Sequence, residues 1–374
     1  MKKDKEEYER YKEKNYSLKS WQECVSRISD LPNLKEVSLK FHPHVGNPKP
    51  HEFVEFQPPE DVELRTDVLN TVFTALDRKH LNVDALSIEH LQDFTSRVYT
   101  TSAFQNVRKK LKRLHLKISM EWCEYGPSGD IDRPEKHDFF NEELNTVWLE
   151  PLQSQLTHLS VYGDDFWGVY PRWNPRALHF PRLKSLSLGK WSIAHQWQID
   201  WLLSHSATIE ELYLDNCPIV HALRFFDHQY KNLSWEPTEL SICVEKGSDD
   251  YNDGHVYPPL RWTPILSQFA TDLTSLRKFG MATSNSWEHR YELPSTLGVG
   301  RYMLFDLATC PTAWDQDDMA KCDDEVDFQS CWYHDWDLEG KSVEKLKFPR
   351  EREAEMQALL RLPNLRSANA PLNN

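Results

Sequence analysis

The chain has 374 residues, 39% apolar and 27% charged, with 14 Trp, 14 Tyr and 17 Phe, a composition that permits a large core and excludes a disordered chain. Its formal net charge of -14 argues against sequence-independent nucleic-acid binding, which depends on clustered Lys and Arg to neutralise phosphates. No stretch approaches the roughly 20 apolar residues of a membrane span, the first residues lack an apolar signal core, and the 7 Cys show no paired close spacing, so the expectation is an intracellular protein without a disulfide framework.

Residues 1–15 alternate acidic and basic side chains and read as a solvated helix or tail. Leu18, Trp21, Val25 and Ile28 then fall at helical spacing before Pro32, which acts as a stop. From there a six-residue pattern with apolar side chains at positions one, four and six recurs. It reads Leu34, Val37, Leu39; Val83, Leu86, Ile88; Leu111, Leu114, Leu116; Leu156, Leu159, Val161; Leu183, Leu186, Leu188; Ile209, Leu212, Leu214; and Leu276, Phe279, Met281. A degenerate copy starts at 237, with Leu240 and Ile242, and a capping unit starts at 365. The alternation predicts a short strand in each unit, its leucines buried and residues such as Lys184, Ser185, Ser187, Glu210, Glu211 and Tyr213 facing water.

Helix-compatible runs separate these strands. Val68, Leu69, Val72, Phe73 and Leu76 share one face, as do Leu91, Phe94 and Val98, and Phe140, Leu144, Val147 and Trp148 before Pro151. Further helices are predicted at Trp197 to Leu203 spacing, around Leu223 and Phe226, at Ile265, Leu266 and Phe269, and over 351–361. Residues 120–138 read as a surface insertion, and 285–347 carry no clear pattern beyond a buried strand at Tyr302, Leu304, Phe305 and Leu307. One strand plus one helix, restarting at 83, 111, 156, 183, 209 and 237 with several steps near the range of roughly 20 to 29 residues, is the signature of a leucine-rich repeat. The expected fold class is α/β, an irregular leucine-rich-repeat solenoid with parallel strands on the concave face and helices and loops on the convex face. The expected organisation is a charged N-terminal helix or cap over 1–30, the solenoid over 31–283, and degenerate C-terminal repeats with an acidic Trp-rich loop and capping helix over 284–374.

No G-x-S-x-G, G-x-x-x-x-G-K-[ST] or H-E-x-x-H motif occurs, and no catalytic, cofactor-binding or metal-ligating residue is assigned. A triad assembled from distant residues would leave no such motif, so an enzyme with a dispersed site is the alternative in a different class. His42, His44 and His51 read as solvated loop histidines rather than ligands, and Cys331 with His334 lacks the second close pair of a zinc site. Asp249, Asp253 and Gly254 match part of a calcium loop that fails at Tyr251 and Leu260, and the carboxylates between Asp315 and Asp327 read as a solvated acidic loop.

The residues between the leucines form a polar row across the strands: Arg113, His115 and Lys117; His158, Ser160 and Tyr162; Ser185 and Ser187; Glu211, Tyr213 and Asp215. Such a face, basic on earlier strands and acidic on later ones, suits recognition of a partner of matching polarity, while a merely soluble sheet surface would also be polar. The irregular loop DDFWGVYPRW, 164–173, adds Phe166, Trp167, Tyr170 and Trp173, for which buried packing is the default and an exposed contact surface the alternative.

The segments LTHLSVYGDDFWGVYPRW, HFPRLKSLSLG and WLLSHSATIEELYLDNCPI, with RYMLFDLATCPTAW and CWYHDWDLEG further on, resemble the leucine-rich-repeat region of F-box proteins of filamentous fungi. The resemblance implies a substrate-receptor architecture in which an N-terminal F-box binds Skp1 of a cullin-type ubiquitin ligase and the repeats hold a protein target. The Leu31-Pro32 pair leads directly into a repeat strand where the family has its F-box, so the F-box is expected to be missing or truncated here. The functional expectation is a non-catalytic protein-interaction module without cofactor, nucleic-acid or membrane partner; a free-standing scaffold without a ligase link is the nearest alternative.

Overall fold

Apolar residues two apart demand an extended backbone with a wall to pack on, and the apolar helical faces supply that wall. The computed structural model describes residues 18–43, 60–119, 134–226, 242–245, 253–282, 301–306, 310–313 and 351–362. The six-residue patterns become β1 (Glu36–Lys40), β2 (Ala85–Gln92), β3 (Arg113–Ser119), β4 (His158–Trp167), β5 (Ser185–Trp191), β6 (Glu211–Asp215) and β10 (Lys278–Ala282). These pair in that order as a seven-stranded, all-parallel sheet. The protein is thus α/β.

Helices α1 (Leu18–Ser26), α2 (Val62–Leu76), α3 (Ser102–Arg108), α4 (Pro134–Asp138), α5 (Gln196–Leu203), α6 (Trp262–Asp272) and α7 (Arg352–Leu359) lie before, between or after the strands. Local chemistry sets their starts. The Asp61 carboxylate accepts from Leu64 N at 2.8 Å, and the Thr101 hydroxyl accepts from Phe104 N at 3.3 Å. Gln198 reaches back to accept from Ala194 N at 2.8 Å and His195 N at 3.0 Å. The helix predicted from Phe140, Leu144, Val147 and Trp148 continues from α4 as a wider π-helical coil, Phe139–Leu149, and Pro151 lies in the 3-10 turn Glu150–Leu152 that follows it. Among the described residues no helix is long and apolar enough to cross a membrane.

Register is tied at the strand entrances by a forked ladder. The Asp84 carbonyl accepts from Lys112 N at 2.8 Å and Arg113 N at 3.0 Å, and the Lys184 carbonyl accepts from Glu210 N at 2.7 Å and Glu211 N at 2.9 Å. Lys35, Lys112, Thr157 and Glu210 carbonyls do the same for the strand that follows each. At the other end, His90, Lys190 and Asn216 hold positive φ of 61, 55 and 51. Each stands two residues beyond the sixth position of its pattern, and the left-handed turn resets the alternation. The next residues, Leu91, Trp191 and Cys217, therefore turn back into the core beside the leucines.

That core is one cluster. It joins Leu86, Leu114, Leu159, Leu186, Leu212 and Phe279 of the strands to Phe73, Phe104, Trp148, Ile199 and Phe269 of the helical layer, and reaches Leu359 in α7.

Four expectations need correction. The run with Leu91, Phe94 and Val98 is not one helix: Leu91 ends β2, and helical structure starts at Arg97–Thr100 and α3. The region around Leu223 and Phe226 is the strand β7 (Ile219–Phe226), since β-branched Ile219 and Val220 and the Phe225-Phe226 pair favour extended backbone and partners flank both sides. The copy starting at 237 does not add a strand to the parallel sheet, because β6 pairs directly with β10. Its Ile242 instead opens β8 (Ile242–Glu245) in a second sheet, ordered β12-β11-β7-β9-β8 with β9 (Asp253–Val256), β11 (Tyr302–Asp306) and β12 (Cys310–Ala313). In this second sheet β11 pairs in parallel with β7. Lastly, the loop expected over 164–173 begins as strand, since β4 runs through Asp164, Asp165, Phe166 and Trp167. The insertion over 120–133, the acidic stretch over 314–350, the capping residues after 362, and the readings at His44, His51, Asp249, Cys322, Cys331 and His334 lie outside the described residues.

Candidate functional site

The face of the parallel sheet turned away from the leucines carries three rows in strict register. The row at the strand entrances is Glu36, Ala85, Arg113, His158, Ser185, Glu211 and Lys278. The middle row is Ser38, Ser87, His115, Ser160, Ser187, Tyr213 and Gly280. The third runs through Lys117, Tyr162, Gly189, Asp215 and Ala282. The polar residues proposed from sequence are therefore brought together, but they are not equally accessible.

His115, Tyr162, Tyr213 and Asp215, expected to face solvent, are buried, and so are Ser185 and Ser187. The face is built from small residues over which large ones lie flat. A Cβ on Gly189 would stand 2.1 Å from the Tyr162 ring, and the Tyr162 hydroxyl is 3.3 Å from Ser187 Oγ. Tyr213 packs with Ala282 in a small cluster of its own. The aromatic run is also closed to partners at Trp167, Tyr170 and Trp173, each at most 1% exposed. Trp167 donates to Gly189 O at 2.8 Å and Trp173 to Asn145 Oδ1 at 2.7 Å, with Trp191 and Trp201 packed edge-on against Trp173. Gly168, at φ 102 and with no room for a Cβ beside the Trp191 ring, turns the chain into this cluster. Phe166 alone of the four aromatics stays half-buried.

Access is concentrated in the entrance row, where Glu36 and Lys278 are exposed and Arg113, His158 and Glu211 half-buried; beyond it, Ser38 at the β1 edge is exposed and Lys117 half-buried. Arg113 lies 3.5 Å from Glu36 and 3.6 Å from Asp84, while Glu211 accepts from Ser185 at 3.1 Å and pairs with Lys278 at 2.6 Å. Burial lowers the His158 pKa against the opposing pull of Glu211, and its Nδ1 is 2.9 Å from Thr157 Oγ1. The hydrogen bond from Lys278 to Glu211 raises the Lys278 pKa and keeps that end of the row cationic. With strands about 4.8 Å apart, the span from Arg113 to Lys278 is about 19 Å, enough for about six residues of extended peptide. The row can thus offer cation, imidazole, carboxylate and cation in sequence, with the buried Ser185, between His158 and Glu211, bracing Glu211.

At the opposite strand ends is a cluster whose pairing no sequence pattern signalled. Asp164 lies 3.2 Å from Lys117 Nζ and 3.3 Å from His90 Nδ1, and it accepts from Ser119. His90 Nδ1 is 2.7 Å from Ser119 Oγ, its Nε2 3.4 Å from Glu89, and its carbonyl accepts from Arg65 at 2.7 Å. Burial works to raise the Asp164 pKa, but the hydrogen bonds from His90 and Ser119 and the Lys117 charge outweigh it and hold the carboxyl below its usual range. Serine, histidine and carboxylate meet here, yet the fully buried Ser119 gives its proton to Asp164, so the trio ties the ends of β2, β3 and β4 together rather than presenting a nucleophile. Among the described residues no group of three or more His, Cys, Asp and Glu is placed to hold a metal ion.

Comparison with protein-family models, curated proteins and solved structures gives no match for this chain.

Proposed function

We propose that the chain is a non-catalytic protein-recognition module, built as an irregular leucine-rich-repeat solenoid. It acts inside the cell as the target-recognition region of an F-box-type ubiquitin-ligase substrate receptor. One observation supports the reading: seven parallel strands repeat the same entrance geometry and carry an accessible entrance row with Arg113, His158, Glu211 and Lys278, of mixed charge across the strands. A sheet edge of this kind reads a partner by hydrogen bonds and ion pairs at spacings set by the strands.

The test is proximity labelling in cells with the wild-type chain and with Arg113→Glu combined with Glu211→Lys, both checked for an unchanged circular dichroism spectrum. A defined set of neighbours should be lost in the variant; an unchanged set would sink the entrance row as a recognition surface. Skp1 among the labelled neighbours supports the ligase link. Its absence, with other neighbours retained, leaves a free-standing scaffold.

A further inference from the structure

The turns that lead into β4, β5, β6 and β10 leave a groove of about 700 Å³ beside the entrance row. Arg182, Lys184 and Arg277 line it together with one carboxylate, Glu210, and hydroxyls such as Thr208 and Ser275. Lys184 is 3.0 Å and Arg277 3.6 Å from Glu210, so one carboxylate is shared between two cations, while Arg182 has no ion pair among the described residues. The neighbouring turns repeat the surplus: Arg78, Lys79, Lys109 and Lys112 are exposed there, also without an ion pair among the described residues. The opposite end of the sheet differs. There Lys40 pairs with Glu89 at 3.0 Å, Lys117 with Asp164 at 3.2 Å and Arg65 with Glu60 at 3.0 Å, while Lys190 donates to the Asp164 carbonyl.

A local excess of positive charge in a chain of net charge -14 calls for a cause. Cations suit the C-terminal ends of helices, which accounts for Arg78 after α2 and Lys109 after α3. It does not account for the groove. Arg182 and Lys184 follow a long irregular segment, and Arg277 lies well past the last turn of α6. We propose that this groove docks an acidic peptide segment, a Glu- or Asp-rich stretch of the recognised protein, with Arg182 and Arg277 taking its carboxylates. The proposal rests on the protein-recognition reading and names its partner's chemistry. A polynucleotide fits less well, because Glu210 sits among the cations and the whole chain repels a continuous run of phosphates.

The experiment is fluorescence anisotropy of the full chain with a fluorescein-labelled peptide rich in Glu and Asp, against the same peptide with Gln and Asn in their places. The acidic peptide should bind, more weakly as salt rises, and the amide peptide should not. Arg182→Ser combined with Arg277→Ser should weaken binding about tenfold. Glu210→Gln should tighten it, because Lys184 and Arg277 are then released to the ligand, and a gain of affinity cannot come from misfolding. Equal binding of the two peptides, no response to the groove variants, or equal competition by a single-stranded oligonucleotide would each overturn the proposal. If it fails while Arg113→Glu with Glu211→Lys still loses its cellular neighbours, recognition at the entrance row stands and only the acidic character of the partner is withdrawn.

Discussion

Gly189 and Tyr162 show how one residue decides whether a sheet face is open. The glycine leaves the space into which the Tyr162 ring folds, and that ring shuts away the hydroxyl of Ser187. Gly189→Ala should therefore destabilise the protein by about 1 to 3 kcal/mol through forced displacement of the ring. Urea unfolding of Gly189→Ala, Tyr162→Ala and the double variant checks this, because the alanine should cost much less once the ring is gone; purely additive costs would refute the contact. His205 carries a pH dependence of the same local kind. Its Nε2 accepts from Phe180 N at 3.1 Å and its Nδ1 donates to Trp201 O at 2.9 Å, so the folded ring is neutral. Burial lowers its pKa from 6.5 to about 4, with the neighbouring His179 adding to the effect. The unfolded chain therefore binds the extra proton first, and stability falls as pH drops from about 6.5 towards 4, by about 3 kcal/mol in total. His205→Phe should flatten that slope in urea midpoints measured across the interval, while losing about 1 to 3 kcal/mol at neutral pH because Phe180 N is left without its acceptor.

Elements far apart in the chain are fastened by buried polar groups. In α7, Glu355 is fully buried and accepts from Arg301 Nε at 2.7 Å and Tyr302 Oη at 2.8 Å, while Tyr302 Oη accepts from Trp262 N at the start of α6 at 3.1 Å. Burial and the Glu355 charge both push the Tyr302 pKa up, which keeps it a hydrogen-bond donor. Removing the carboxylate breaks a buried ion pair with Arg301 and takes the acceptor from the Tyr302 hydroxyl, so Glu355→Ala should cost about 3 to 5 kcal/mol. Hydrogen exchange should quicken across Arg352–Leu359 far more than across β4; uniform change would show that the contact is not what docks the helix.

At the scale of the whole molecule, the parallel sheet, its helical layer and α7 share one apolar cluster. We expect circular dichroism and tryptophan fluorescence to report coincident unfolding, since Trp148, Trp167, Trp173, Trp191 and Trp262 are all fully buried. Two separated transitions would mean that the second sheet or α7 opens on its own. The molecule is also electrically sided: Arg78, Lys79, Lys109, Lys112 and Arg182, without an ion pair among the described residues, gather at the strand entrances, while the strand exits hold Asp164, Glu89 and Glu60 with their partners. Salt should accordingly weaken partner binding more than it changes the unfolding midpoint.

Much of this fold was legible in local spacing. Apolar residues at positions four and six mark the core-facing side of all seven parallel strands, buried in six and half-buried at the edge strand β1, because a strand offers alternate residues to the core whatever its neighbours are. The helices at Val72 and Phe73, Ile199 and Leu202, and Ile265 and Phe269 were legible for the same reason at the helical period. Tertiary structure alone decided what happens on the polar face. The alternation that identified Tyr162, His115, Tyr213 and Asp215 as pointing away from the leucines is correct, yet it carries no information on what lies across them, and only Arg113, His158 and Glu211 of that set keep access at the strand entrances. The strand β7 likewise depends on β9 and β11 as partners, and Ser119 meets Asp164 from 45 residues away. Periodicity is a property of neighbouring residues; cover and pairing are properties of residues that only folding makes neighbours.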